Sequence, residues 1–337
     1  MVIIENQTPF ATVDFCAVDK RGQGLVVTCV CGTFCLPEPD RLSLAPLELA
    51  DTQEPPPLAD RFVGEPGKSS LREAGQAVYG RPGTDITFEG SAWAPAERPV
   101  DSMLVRVRVG NHLRGVHVFG ERVWTRGIFG LAASAPRPFV SMELTYERSF
   151  GGVAPNGLLF DEHNPVGRGF GGARDNDLLP NLENATGRGP DAGGRGPAGL
   201  GPIASHWRDR AKFAGSYDET WIRERAPLWP RDLDLRFFCA APPGMTATPW
   251  LVGGEEVVIA GASPRGTYQF TLPRYALVGV VLIRGRPRRS LLRLDAVHFQ
   301  TDLGKVKLYW RMAMPFEASV SEHELTTIRP RKSWEVA

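Results

Sequence analysis

The stretch Val105-Arg106-Val107-Arg108-Val109 alternates apolar and charged side chains with a period of two. Successive side chains of a strand point to opposite faces, so this is a strand with one face on a core and one toward solvent. Comparable runs recur along the chain. Residues 11–19 and 24–35 read as two strands around the turn Lys20-Arg21-Gly22-Gln23, and 115–125, 139–148, 255–260 and 267–272 read as further strands. Residues 276–283 are continuously apolar and short enough for a buried strand. Further on, Leu292, Leu294, Ala296 and His298 alternate with Arg293, Asp295 and Val297. A turn at Asp302-Leu303-Gly304-Lys305 and the run Val306 to Met312 complete a hairpin. The 37 glycines and 29 prolines fall between these runs as turn punctuation. The expected fold is mainly β, with antiparallel sheets in sandwich or barrel-like units, long glycine-rich loops and one or two short helices.

Helix signals are few. In Ser216 to Arg225, Ser216 is placed as N-cap with Glu219 three residues on, a capping box, and Pro227 stops the run. A weaker helical pattern covers Lys68 to Val78. Residues 37–67 are rich in proline and acids, and 149–215 holds fourteen glycines between 151 and 201. Phe150, Leu158, Phe160, Phe170, Leu178, Leu179, Ile203, Trp207 and Phe213 recur through the second segment, more than a flexible linker needs. It is read as an ordered excursion packed on the sheets. The chain divides accordingly into an N-terminal β unit (1–148), the excursion with its short helix (149–230) and a C-terminal β unit (231–337), in one compact body.

Composition removes several function classes. Of 337 residues, 39 are Lys or Arg and 38 Asp or Glu, a formal charge of +1. Nucleic-acid binders carry a basic field or stripe, and none is evident. No run of about 18 apolar residues exists, and Glu5, Asn6 and Gln7 stand where a signal peptide needs an apolar core. The expectation is a cytoplasmic protein with neither nucleic acid nor membrane as partner. Five cysteines, an odd count, do not suggest a disulfide framework.

The motif search yields no catalytic residues, metal site or cofactor. Cys29, Cys31 and Cys35 share one strand face, too widely spaced for a zinc tetrahedron, and read as core. His112 and His117 face opposite sides of one strand. His163 beside Asp161 and Glu162 reads as a loop with an Asx-turn. Gly167-Arg168-Gly169-Phe170-Gly171-Gly172 matches a dinucleotide motif but lacks the strand before it and the helix after it. Gly67-Lys68-Ser69 lacks the first glycine of a P-loop. Glu143 and Glu147 would share a strand face, which leaves a β-sandwich carbohydrate-binding or glycoside-hydrolysing protein, using either with Asp161, as the alternative reading.

Several strings, in this order and spacing, resemble the DUF2169 family linked to type VI secretion. They are Asn6-Gln7-Thr8-Pro9-Phe10, Glu147-Arg148-Ser149-Phe150-Gly151-Gly152, Asn164-Pro165-Val166-Gly167-Arg168-Gly169-Phe170, Leu179-Pro180-Asn181-Leu182-Glu183, Pro197-Ala198-Gly199-Leu200-Gly201-Pro202-Ile203, Gly215 to Trp221, Arg236-Phe237-Phe238 with Ala240-Ala241-Pro242, and Trp310-Arg311. Ser216 stands where Thr is expected, and Pro243-Gly244-Met245 replaces a polar pair. The resemblance implies a non-enzymatic adaptor or chaperone. Its partners would be a secreted effector with a PAAR-type tip domain, the spike protein, or both. On that reading the partner-binding candidates are Asn164, Gly167, Gly169, Phe170, Trp207, Tyr217, Asp218 and Trp221. The aromatic ones serve as anchors or as struts, while Asn164, Gly167 and Gly169 set the loop backbone.

Overall fold

The computed structural model describes residues 4–43, 45–128, 130–185, 197–316 and 323–332. The fold is mainly β with several antiparallel sheets and two short α-helices, Arg208–Ala211 and Glu219–Glu224, and no sheet closes into a barrel. Residues 186–196 of the expected excursion lie outside the described residues.

A six-stranded sheet runs in the order Thr246–Ala247, Thr84–Glu89, Arg293–Gln300, Lys305–Pro315, Gly24–Cys35, Ala11–Val18. Only the pairing of Thr84–Glu89 with Arg293–Gln300 is parallel within it. A five-stranded antiparallel sheet runs Leu182–Asn184, His112–Phe119, Ser102–Val109, Glu256–Ala260, Tyr268–Thr271. Both sheets interleave strands from the two halves of the chain. They contribute to one apolar core, in which Val105, Val107, Val257 and Phe270 meet Val26, Val30, Val297, Val306 and Leu308. The rings of Phe270 and Phe299 lie 6.4 Å apart across the two sheets. A third sheet of four strands, Ile4–Asn6, His323–Pro330, Leu277–Ile283 and Arg286–Leu291, adds Leu277, Val281 and Ile328 to that core.

Most expected strands are present. Several expectations need correction. The strand expected over 115–125 ends at Phe119, and at Gly120 the backbone passes so close to Arg137 that a Cβ would sit 1.8 Å from its carbonyl oxygen. The one expected over 139–148 is only Ser141–Glu143, followed by a 3-10 turn at Tyr146–Arg148, so Glu143 and Glu147 share no strand face. Lys68 to Val78 holds a strand, Leu71–Glu73, in place of a helix: Leu71 and Glu73 are buried and Arg72 is exposed, a period of two. Cys29 and Cys31 are core residues, but Cys35, at the strand end, is exposed.

The alternation expected across Leu292–His298 changes phase. A bulge between Leu294 and Ala296 places Asp295 and Ala296 on the same side. Beyond it Val297 and Phe299, not Ala296 and His298, face the apolar core.

The second face of the six-stranded sheet is polar and nevertheless buried. Asp85, Thr87, Asp295, His298, Gln300, Lys307 and Arg311 are all buried. The segment 54–81 covers them with matching groups. Lys307 Nζ lies 2.8 Å from Glu54 and 3.2 Å from Glu73, and the Tyr309 hydroxyl donates to Glu73. Arg311 donates to Asp295 Oδ2 at 2.8 Å, to the carbonyls of Gln76 and Val78, and to Gln76 Oε1. Arg81 pairs with Asp295 from the other side and donates to the Phe238 carbonyl. Only a small internal gap remains at the centre, so the network is packed protein and no ligand site.

Two predictions follow from this layer. Breaking a buried ion pair on one side leaves the other charge uncompensated, which costs about 3–5 kcal/mol. Asp295→Ala should therefore lower the unfolding free energy by that amount in urea titration, whereas Glu38→Ala, at an exposed pair with Arg265, should change it by less than about 1 kcal/mol.

The second concerns acid. Burial alone would raise the Glu89 pKa, but the His298 ring, the Gln300 amide and Arg72 outweigh it and hold it down, from 4.5 to about 2. Asp295, which burial would raise, is likewise held below its ordinary value by Arg311 and Arg81. Carboxylates depressed in the folded state stabilise above their unfolded pKa and lose that contribution as pH falls through the folded one. Asp85, raised by burial ahead of Arg81, acts in the opposite sense. Thermal melting should thus fall as pH drops from about 4.5 toward 2, with a shallower fall in Glu89→Gln.

Candidate functional site

The segment after Tyr146 leaves the sheets and returns on itself. Its base is organised by Asn164, which is fully buried. The Asn164 side-chain amide donates to the carbonyls of Tyr146 (2.9 Å) and Phe150 (2.8 Å), while the main-chain carbonyl of Asn164 accepts from Gly152 N–H at 2.7 Å. Phe150–Gly151 pairs in parallel with Arg168–Gly169. Space at this crossing is minimal: a Cβ on Gly151 would sit 2.2 Å from the Asn164 carbonyl oxygen, and one on Gly167 2.4 Å from its amide nitrogen. The strings 147–152 and 164–170 are therefore two halves of one knot.

The knot is fixed to the body on two sides. The Glu147 carboxylate accepts from the backbone N–H and hydroxyl of Ser70, so this acid is occupied as a structural acceptor. Arg168 donates to the Glu147 carbonyl, and Arg148 pairs with Glu121 at 3.0 Å. Beneath, the Tyr146 hydroxyl donates to the Gly201 carbonyl, and the ring stands edge-on to Trp207 at 5.3 Å. Burial pushes the Tyr146 phenol well above its ordinary pKa, so it stays a neutral donor.

From this base projects the turn 153–160. A bridge between Val153 and Phe160 closes it, and Ala154 N–H donates to the Leu159 carbonyl at 2.8 Å. Its tip turns its apolar side chains outward: Leu158 is 81% exposed, Leu159 62% and Phe160 53%. A neighbouring hairpin in sequence, Trp124–Gly127 with Gly130–Ala133, is also solvent-facing, and its tip residue Ile128 is 97% exposed. Trp124 ties that hairpin to the excursion by two backbone bonds, with Asn176 and Asp177. Leu158 and Phe160 are thus not packed on the sheets as expected. Phe150 and Phe170 are half-buried, and Leu179, Ile203 and Trp207 are core.

The partner-binding candidates separate into three groups. Asn164, Gly167, Gly169 and Phe170 form the knot. Tyr217, Asp218 and Trp221 lie on and before the short helix Glu219–Glu224, where Tyr217 and Trp221 stack edge-on at 4.7 Å and Tyr217 is half exposed. Trp221 donates its indole N–H to the Leu228 carbonyl at 2.8 Å. Trp207 is wholly buried and offers a partner no surface, so among those candidates it is a strut and not an anchor.

The helix cap is also corrected. Asp218, not Ser216, is the N-cap and accepts from Trp221 N–H at 2.8 Å. Ser216 is drawn away by Asp232, which accepts from both its N–H and its hydroxyl.

His163 N–H donates to Asp161 in an Asx-turn, and its ring lies 3.2 Å from Asp209. Among the described residues no group of three or more His, Cys, Asp or Glu is placed to hold a metal ion. None of the described helices is long and apolar enough to cross a membrane.

A family model described as "Uncharacterized protein conserved in bacteria (DUF2169)" matches residues 21–311, from just before the strand Gly24–Cys35 to Arg311 of the buried network. No curated protein and no solved structure matches the chain.

Asn164→Ala removes both side-chain bonds that close the knot; the Tyr146 carbonyl keeps the Ser149 N–H, while the Phe150 carbonyl loses its asparagine donor. The expected cost is about 1–3 kcal/mol. Limited proteolysis should then cut within 150–170 at protease levels that leave the parent chain intact. Unchanged protection would show that the glycine crossing holds without its asparagine.

Proposed function

Since the chain belongs to the DUF2169 family, we propose that it is an adaptor that binds a secreted effector carrying a PAAR-type tip domain and helps load it on the spike of a type VI secretion machine. The secretion role rests on the resemblance of the strings quoted above. The structure supports the binding part of the reading through one observation: a glycine-built knot with a buried asparagine at its centre holds out a turn whose apolar tip has no cover. A loop that served only to connect would bury Leu158, Leu159 and Phe160 or replace them with polar residues. Rigid presentation of apolar side chains lowers the ordering cost of binding, and a few such anchors dominate interface energy. Two of the acids that the carbohydrate reading uses are engaged within the fold: Glu147 accepts from Ser70 and Asp161 from His163 N–H.

The test is purification of the tagged protein from its native host, with mass spectrometry of what accompanies it. Recovery of a PAAR-type or spike protein in near-equal amount is expected. A variant with Leu158→Ser, Leu159→Ser and Phe160→Ser should melt within a few degrees of the parent, as exposed substitutions do, and recover at least tenfold less partner. Recovery of the parent chain alone, with neighbouring genes expressed, would overturn the adaptor reading. Undiminished recovery by the variant would move the contact away from this turn.

A further inference from the structure

A cleft of about 420 Å³ opens beside the edge strand Thr246–Ala247, walled by the helix Arg208–Ala211 and the turn Leu235–Phe238. Its floor is mostly apolar, from Phe213, Ile203 and Pro242, and three cations line it. Lys212 Nζ lies 5.1 Å and the Arg236 guanidinium 4.2 Å from the centre of the Phe213 ring. Arg210 is buried, and its guanidinium is spent on the carbonyls of Ile203 and Phe237.

Charge in the cleft does not cancel. Asp234 is taken up by Arg236 at 2.6 Å. Asp209 is shared between His163 at 3.2 Å and Lys212 at 3.8 Å. No carboxylate lies within ion-pair distance of Arg210 among the described residues, and burial lowers its pKa against the more distant pull of Asp85 and Asp60. Arg114, which donates to the Pro243 carbonyl at the rim, likewise bonds only carbonyls and the Asn184 amide oxygen.

The edge strand adds backbone groups. Ile86 N–H donates to the Met245 carbonyl, so Met245 and Ile86 form a hydrogen-bonded pair. Thr246, opposite Asp85, is then in the alternate, non-bonded position. Its N–H and C=O point away from the sheet, on the open side of the outermost strand.

From these features we infer that the cleft is a peptide-binding site that takes an extended acidic segment of a partner chain. The segment exchanges backbone hydrogen bonds with Thr246, sets its carboxylates beside Lys212 and Arg236 in the positive field of the buried Arg210, and lays an apolar side chain against Phe213. Strand addition to a sheet edge gives affinity through the main chain and specificity through alternate side chains. The site is distinct from the turn 153–160, and its test does not depend on any cargo.

The experiment is fluorescence anisotropy with the purified full chain and a labelled heptapeptide alternating glutamate with valine, beside its lysine–valine counterpart. The acidic peptide should bind saturably at low salt and at least tenfold more tightly than the basic one. Lys212→Glu, at a half-exposed position that leaves folding intact, should weaken it at least tenfold, as should 0.5 M salt acting on the parent chain. Absence of saturable binding by the acidic peptide, equal binding of both peptides, or indifference to Lys212→Glu would each overturn the assignment.

Discussion

The architecture depends on a sheet face that is both charged and covered. In the strand Lys305–Pro315, Val306, Leu308 and Trp310 enter the apolar core, while Lys307, Tyr309 and Arg311 point the other way into an interior of charges. Moving a charge out of water costs several kcal/mol unless its partners replace that water. Glu54, Glu73, Gln76 and Arg81 are those partners, and all four come from the segment 54–81. The six-stranded sheet cannot expose that face cheaply, and the segment has few other places to put its own charges. Each is a condition of the other. Buried ion pairs rarely stabilise more than apolar packing would, but they do select one arrangement. Arg311 meets Asp295 on that face, and the bulge that follows Leu294 returns Val297 and Phe299 to the apolar side beyond it.

This dependence extends outward to the loops. The covering segment carries Ser70, whose N–H and hydroxyl hold Glu147 at the foot of the knot. It also carries Leu71, which packs in a second apolar cluster with Tyr146, Ile203 and Trp207. Asp85 reaches from the same buried face to the backbone of Ala240, beside the wall of the basic cleft. The turn 153–160 and the cleft are therefore both mounted on elements that the charged layer positions. A change inside that layer reaches the loops through a few named bonds, without any need for general softening of the fold.

The sequence discloses some of this and hides the rest for physical reasons. Alternation located most strands because one face of each is apolar, as in Val105–Val109. The same alternation is silent about what lies over the other face. Lys307 and Arg311 follow a pattern that reads as solvated, and only the fold brings segment 54–81 across 230 residues of chain to bury them. Asp295 adds a bulge that inverts the phase of its strand, which no periodicity can report from within. The helix cap was lost to competition: Ser216 fits the local rule, but Asp232, sixteen residues away, claims it. At the candidate site, glycine spacing and Asn164 marked the knot. The Asn156-Gly157 dipeptide is a turn signal that could have placed the tip of 153–160, but the apolar Leu158 and Phe160 beside it argued for burial where the structure exposes them.

Exposed Leu158, Leu159 and Phe160 would ordinarily be a liability, since uncovered apolar surface invites nonspecific association. Two features limit that risk. The tip is small, three side chains on a closed turn. Its backbone groups are also internally paired, Ala154 with Leu159 and Gly157 with Ala154, so it offers no long free strand edge. Such a tip can bind only a surface shaped to receive it. The shape is in turn guaranteed by a crossing where even a methyl group on Gly151 or Gly167 would clash. The rigidity of the turn traces back through Asn164, Tyr146 and Ser70 to the charges buried beneath the sheet.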